Sequence, residues 1–209
     1  MKKAFVIENT RIFFACLSLF AAVACSDQQK SEQSQVTRVN AVKGDRDQLG
    51  YQKWCDRVFS QAQAPKLELP PFEPVGKQVA SASIPAQRWV WVNFWATWCK
   101  PCVREMPMLQ LWQNELSKLG QSLDLWFVSV DQDKAELEQF LNGHPDIAAA
   151  NTVRITGSDA LETWLKKYGV DAMASVPIHL IAAPGGGVRC VRTGSLNDGD
   201  FGIVKNLVR

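Results

Sequence analysis

Apolar and polar positions fall into blocks that change period along this chain, and the blocks predict its elements. Trp89–Trp95 (Trp-Val-Trp-Val-Asn-Phe-Trp) is apolar at every position but Asn93. A run this continuous, rich in Val and aromatic residues, predicts a buried strand. Leu123–Val130 is a second such run and Ile178–Ala183 a third. Between the first two, Met106, Leu109, Trp112, Leu116 and Leu119 recur at three- and four-residue spacing. That stripe predicts a helix from Cys99 or Lys100 to Leu119, kinked at Pro107 and closed by Gly120. Asp133–Leu141 predicts a second helix, stopped by Asn142-Gly143 and Pro145, and Thr152–Ile155 a short strand. Ser158 or Asp159 caps a helix through Lys167 that turns Leu161, Trp164 and Leu165 inward. Pro184-Gly185-Gly186-Gly187 predicts a hairpin turn, Val188–Arg192 its antiparallel return, and Leu196–Val208 a terminal helix capped by Asn197 or Asp198. Ahead of these, Tyr51, Trp54, Cys55, Val58 and Phe59 have helical spacing and predict a helical extension over residues 51–67. Pro70-Pro71 marks the boundary to the main domain, residues 68–209, which enters through one or two strands within Phe72–Ala80 and Ser81–Arg88. The order strand–helix–strand–helix–strand–strand–helix predicts an α/β fold, a three-layer α/β/α sandwich around a mixed sheet.

The first buried strand delivers Cys99 and Cys102 to the start of a helix. Two thiols separated by two residues at that position can close a small disulfide ring. The helix dipole and its unpaired N–H groups favour the thiolate of the first cysteine, whose pKa in such settings falls from about 8.5 to roughly 3.5–7.5. Cys99 is therefore the better nucleophile: it attacks a partner disulfide, and Cys102 then attacks Cys99 and releases the reduced partner. This chemistry needs no cofactor. Pro101 restrains the loop, and Lys100 places a positive charge beside the pair. Other uses of the pair fit less well. A structural zinc site needs two more soft ligands, and the remaining candidates, Cys55, Cys190, His144 and His179, are not so spaced. Haem attachment needs His where Val103 stands. A peroxidase would need Pro-x-x-x-Thr-x-x-Cys, which Thr97 and Cys99 do not supply. Holding Cu(I) on the two thiols, as a metal-handling or chaperone module, stays open as the alternative to redox turnover.

The string Asn93-Phe94-Trp95-Ala96-Thr97-Trp98-Cys99-x-Pro101-Cys102, followed by Glu105-x-Pro107, resembles the membrane-tethered thioredoxin-like proteins of the TlpA/ResA type. The resemblance covers about residues 68–209 and implies the thioredoxin-like fold and a thiol-disulfide oxidoreductase, several of which serve cytochrome c maturation. It implies protein thiols and disulfides as substrates and a membrane-embedded electron donor that keeps the pair reduced. It implies a cis proline at Pro177, against the cysteine pair, with Val176 offering backbone groups to an extended substrate segment. Asn93 stands where thioredoxin carries a buried Asp. Glu105 matches the family's glutamate near the site, and at i+3 from Cys102 it shares that helical face, as a proton acceptor or pKa tuner. Trp95 and Trp98 are expected to flank the pair and limit water access.

The N-terminus is read as targeting rather than fold. Lys2, Lys3 and Arg11 precede the apolar run Ile12–Ala24, which is too short for a span of about 20 residues. Ala22-Val23-Ala24-Cys25 resembles a lipoprotein cleavage site, with Ala22 where Leu is usual. This predicts a signal peptide over residues 1–24 and lipidation of Cys25, with cleavage after Ala24 by ordinary signal peptidase as the alternative. Ser26 favours outer-membrane sorting by analogy. Residues 25–50 are rich in Gln, Ser, Lys, Asp and Arg and read as a solvated tether. The domain is thereby placed on the periplasmic side of the cell envelope. Loss of residues 1–24 leaves 20 basic against 20 acidic residues, with no basic cluster and so no case for nucleic acid. Once Cys25, Cys99 and Cys102 are assigned, Cys55 and Cys190 remain in the mature chain. In an oxidising compartment they are expected to bridge, stapling the extension to the sheet, with two buried thiols as the alternative.

Overall fold

The computed structural model describes residues 50–75, 85, 87–171 and 175–209. The expected signal segment, Cys25, and the tether up to residue 49 lie outside the described residues. So does most of the expected entry strand 81–88.

The sheet grows outward from the run that the sequence marks as buried. β3 (Trp89–Trp95) pairs in parallel with β4 (Leu123–Ser129) on one side and antiparallel with β6 (Ile178–Ala182) on the other. β5 (Asn151–Ile155) extends the β4 side in parallel, and β7 (Val188–Thr193) extends the β6 side antiparallel. Two short strands close the edges: β1 (Arg57–Val58) against β7 and β2 (Phe72–Pro74) against β5. The order is β1-β7-β6-β3-β4-β5-β2.

Both faces of the central strands are buried because both are covered. Trp91 and Trp95 of β3 pack under α2 (Lys100–Lys118), α3 (Lys134–Gly143) and α6 (Phe201–Leu207), against Met106, Leu109, Leu116, Leu137 and Val204. Val90, Val92 and Phe94 face the other way, with Trp164, Leu165 and Tyr168 in and just after α5 (Ser158–Lys167). Successive side chains of a strand point to opposite faces, so a strand covered on both sides loses its alternation and reads as one apolar run. The α/β/α sandwich follows.

Local chemistry sets the helix ends. Asp133 caps α3 through the N–H groups of Ala135 (2.7 Å) and Glu136 (3.3 Å). α2 ends where Gly120 takes φ +79°, with Gln121 N–H donating to Leu116 O (2.9 Å) and Gly120 N–H to Ser117 O (3.0 Å), a closure that needs a residue tolerant of positive φ. Pro107 lies inside α2, which runs unbroken from Lys100 to Lys118. Gly157, rather than Ser158 or Asp159, is the N-cap of α5. A short helix, α4 (Pro145–Ala148), follows α3, and a 3₁₀ turn (Asp198–Asp200) capped by Asn197 leads into α6.

The extension departs from its helical expectation. Residues 50–54 are helical as α1, but the chain then straightens into β1. The physical reason is the Cys55–Cys190 disulfide, with Cα atoms 5.6 Å apart, which brings this segment to the unpaired edge of β7. Asp56 N–H donates to Val191 O (2.8 Å) and Phe59 N–H to Arg189 O (3.1 Å), so edge pairing replaces helical bonding. The buried Trp54 donates from Nε1 to Asp200 Oδ1 (2.9 Å), tying the same segment to the 3₁₀ turn.

Candidate functional site

The site forms where β3 stops and α2 starts. Asp131, just after β4, holds the connecting loop: its carboxylate accepts from Thr97 N–H (3.0 and 3.1 Å), from Thr97 Oγ1 (2.7 Å) and from Ser129 Oγ (2.7 Å). With Thr97 fixed, Cys99 becomes the N-cap of α2. Its sulfur accepts from Cys102 N–H (3.3 Å), a free donor of the first helical turn, and is bonded to Cys102 Sγ across a Cα separation of 5.3 Å. Pro101 sits between them in that first turn, where its missing N–H costs nothing. Cys99 is 4% exposed and Cys102 fully buried, so an approaching thiol or disulfide reaches Cys99 first.

The Val176–Pro177 peptide is cis, and Val176 O lies 3.6 Å from Cys99 Sγ. Lys100 is exposed on the first turn. The two tryptophans separate: Trp95 is buried beside Phe140, but Trp98 is 68% exposed. Trp98 therefore does not shield the pair from water. The loop that turns Cys99 inward leaves the preceding side chain on the surface.

A polar floor lies beneath. Glu105 follows Cys102 by one turn of α2 and is 3% exposed. Its Oε1 accepts from Asn93 Nδ2 (3.1 Å) and its Oε2 from Leu196 N–H (2.8 Å). His179 Nε2 stands 3.4 Å from Oε1, and His179 Nδ1 lies 3.2 Å from both Trp91 Nε1 and Asn93 Nδ2. Strand register makes this cluster. Asn93 pairs with His179 and His179 with Arg192, so three strands present one polar row to the underside of α2. Burial pushes the Glu105 carboxyl up to about 7, against the downward pull of the Leu196 N–H, the Asn93 amide and the Arg192 charge. Burial pushes His179 down to about 3, against the Gly194 backbone and helped by Arg192, so its ring is neutral. A buried carboxyl poised near neutrality can take a proton and return it.

The structure thus brings Cys99, Cys102, Glu105, Val176 and Pro177 together, and holds Cys55 and Cys190 as a separate bonded pair. Sequence spacing assigns no role to His179, Trp91, Arg192 or Asp131. The available signals are slight: one polar residue inside the apolar run of β6, and an Asp two residues after the end of β4. Among the described residues no cluster of three or more His, Cys, Asp or Glu is arranged to hold a metal ion. Among them, too, no helix is long and apolar enough to cross a membrane.

The sequence model of the AhpC/TSA family matches residues 61–191. The chain is similar to the thiol-disulfide oxidoreductase ResA of Geobacillus thermodenitrificans, 31% identical over 114 residues, covering 54% of this chain and 58% of that protein. It is similar to the thioredoxin-like protein YneN of Bacillus subtilis, 37% identical over 51 residues, covering 24% of this chain and 30% of that one. Both matches span less than two thirds of the relative's length. Among solved structures, a thiol-disulfide isomerase from Corynebacterium glutamicum superposes with TM-score 0.54 and 18% identity, covering 69% of this chain and 96% of that one. A thiol:disulfide interchange protein of the thioredoxin family from Chlorobium tepidum gives 0.52 and 21%, covering 70% and 99%. At these identities the structures establish the thioredoxin-like fold.

Proposed function

The chain belongs to the AhpC/TSA family, and from that premise we propose that it is a protein thiol-disulfide oxidoreductase of the cell envelope, working as a reductase of disulfides in exported proteins such as apocytochrome c. The observation that carries the reading is the placement of Cys99: N-cap of α2, bonded to Cys102, and facing the Val176 carbonyl. In the dithiol form the free N–H groups of the first turn stabilise the Cys99 thiolate. The thiolate attacks one sulfur of a substrate disulfide, the other sulfur leaves as a thiolate, and a mixed disulfide forms. A substrate segment lies along Val176 and over the exposed Trp98. Cys102 gives up its proton toward Glu105 and attacks Cys99, and the second substrate sulfur leaves. The product is the Cys99–Cys102 disulfide.

A membrane-embedded donor returns two electrons to that disulfide, because the periplasm keeps thiols oxidised. Lipid on Cys25 with a polar tether over residues 25–50 keeps the domain at the membrane surface. This part of the reading is supported by the small residues before Cys25 and the polar composition after it. Its test is fractionation: Cys25→Ala should release the protein from the membrane fraction, and retention there would contradict a lipid anchor.

Redox equilibration of the protein tests the direction of electron flow. A Cys99–Cys102 potential near or below about −250 mV is expected of a dedicated reductant. A value between about −180 and −120 mV would make it an oxidase or isomerase instead.

A further inference from the structure

We infer that His179 is a positioning residue for Glu105: it holds the carboxylate as a ready proton acceptor for Cys102 by presenting an N–H to Glu105 Oε1 from the floor of the site. The inference deepens the exchange reading above and rests on it.

His179 Nδ1 lies 3.2 Å from Trp91 Nε1, and an indole nitrogen can only donate. Asn93 Nδ2 reaches the same atom at 3.2 Å. Nδ1 is therefore the bare, accepting nitrogen, and a neutral ring must carry its proton on Nε2. Neutrality follows from burial, since His179 is 1% exposed. Nε2–H then makes no hydrogen bond; Glu105 Oε1 stands 3.4 Å from Nε2, and the Gly194 backbone is the other acceptor that faces the ring. The amide of Asn93 divides its two hydrogens between Glu105 Oε1 and His179 Nδ1, locking carboxylate and ring in one frame.

The chemistry follows from the donor set. Glu105 receives Asn93 Nδ2–H and Leu196 N–H, and the unpartnered His179 Nε2 lies 3.4 Å from Oε1 of the same carboxylate, close enough to become a third donor when that oxygen is charged. Donors favour the ionised form, whereas burial opposes it. Each donor removed moves the carboxyl further up. In the resolving step the Cys102 S–H bond breaks, its proton goes to Glu105, the new sulfur–sulfur bond forms with Cys99, and the Cys99–substrate bond breaks with the electron pair leaving on the substrate sulfur. His179 keeps its own proton throughout. The other charges bearing on this floor are Arg192 of β7, paired in register with His179, and Asp200 of the 3₁₀ turn, engaged by Trp54 and Asn197. On α2 and its N-cap, only Cys99 and Cys102 are titratable and buried with Glu105.

The test is stopped-flow reaction of the chain carrying Cys16→Ser and Cys25→Ser, reduced at Cys99–Cys102 with Cys55–Cys190 left bonded, with 5,5′-dithiobis(2-nitrobenzoate) across pH 5–9. The first thionitrobenzoate released reports attack by Cys99, and the second reports resolution by Cys102. His179→Phe should move the acid limb of the second release to higher pH, slowing it about tenfold at neutral pH for each pH unit of displacement, and leave the first release unchanged. His179→Gln, which keeps a donor, should restore most of the limb. In a Glu105→Gln background, His179→Phe should do nothing further. Trp91→Phe, which frees the tautomer while keeping an aromatic core, should give a smaller shift in the same direction. An unmoved limb in folded His179→Phe, equal slowing of both releases, or a shift that persists without Glu105 overturns the inference. A wild-type chain with no second release overturns the exchange reading itself.

Discussion

The two disulfides have nearly the same reach, with Cα separations of 5.3 Å for Cys99–Cys102 and 5.6 Å for Cys55–Cys190, and both are buried, but they differ in what touches them. The first links residues three apart, at a helix N-terminus, over a polar floor that can move a proton. The second links residues 135 apart; it shares the buried apolar cluster with the first, but Cys190 is held by β-ladder bonds on both sides. A sulfur–sulfur bond has little character of its own. Stabilising donors and a proton acceptor make one pair exchangeable, whereas burial without them and a long closed loop make the other a clamp. The clamp also serves the site at a distance: it brings Trp54 onto Asp200 and Arg192, next to the row containing His179.

The largest effect should come from breaking the active pair. Cys99→Ser should reduce exchange to the uncatalysed rate, while Cys102→Ser should accumulate a trapped mixed disulfide visible by mass spectrometry. Removing the clamp with Cys55→Ala and Cys190→Ala should cost about 2–5 kcal/mol in denaturant unfolding and keep the exchange chemistry. Glu105→Gln should slow neutral-pH resolution by about 10²-fold and erase its acid limb near pH 7. Asp131→Asn should loosen the Thr97 loop and cost about 1–3 kcal/mol, with a modest fall in exchange.

A pH titration of stability sharpens the comparison further. Glu105 has a folded pKa raised from 4.5 to about 7, so the folded state binds the proton better. Its contribution is fully present below about 4.5 and is lost as pH rises through 7. His179 is the reverse: its folded pKa is depressed from 6.5 to about 3, so its contribution is present above 6.5 and lost as pH falls toward 3. Between 4.5 and 6.5 the two slopes oppose and the thermal midpoint should be nearly flat. Glu105→Gln should expose the histidine slope there, with stability rising as pH rises. A profile unchanged by that substitution would show that Glu105 titrates like an exposed carboxyl.

Much of the frame was legible because it depends on local pattern. Continuous apolar runs marked β3, β4 and β6, and the helical stripe from Met106 to Leu116 marked α2. The motif around Cys99 and Cys102 marked the exchange pair. What stayed hidden depends on register and long-range bonding. Nothing local says that Asn93 lies opposite His179, or that both lie under Glu105, since those contacts require β3 and β6 to be aligned first. The spacing of Tyr51, Trp54, Cys55, Val58 and Phe59 fits a helix, yet the bond to Cys190 and the open edge of β7 draw residues 57–58 into the sheet. Trp98 departs from the expected shielding place for a related reason: which side chain of a tight loop faces out is set by the Asp131–Thr97 anchor, from a different strand end.

The most direct measurement is a thiol map of the full chain taken across a graded series of dithiothreitol buffers, with alkylation and peptide mass analysis at each step. Cys99 and Cys102 should open first and together, while Cys55 and Cys190 stay bonded until far stronger reduction. Simultaneous opening of both pairs, or opening of Cys55–Cys190 first, would contradict the division of one exchangeable pair and one clamp.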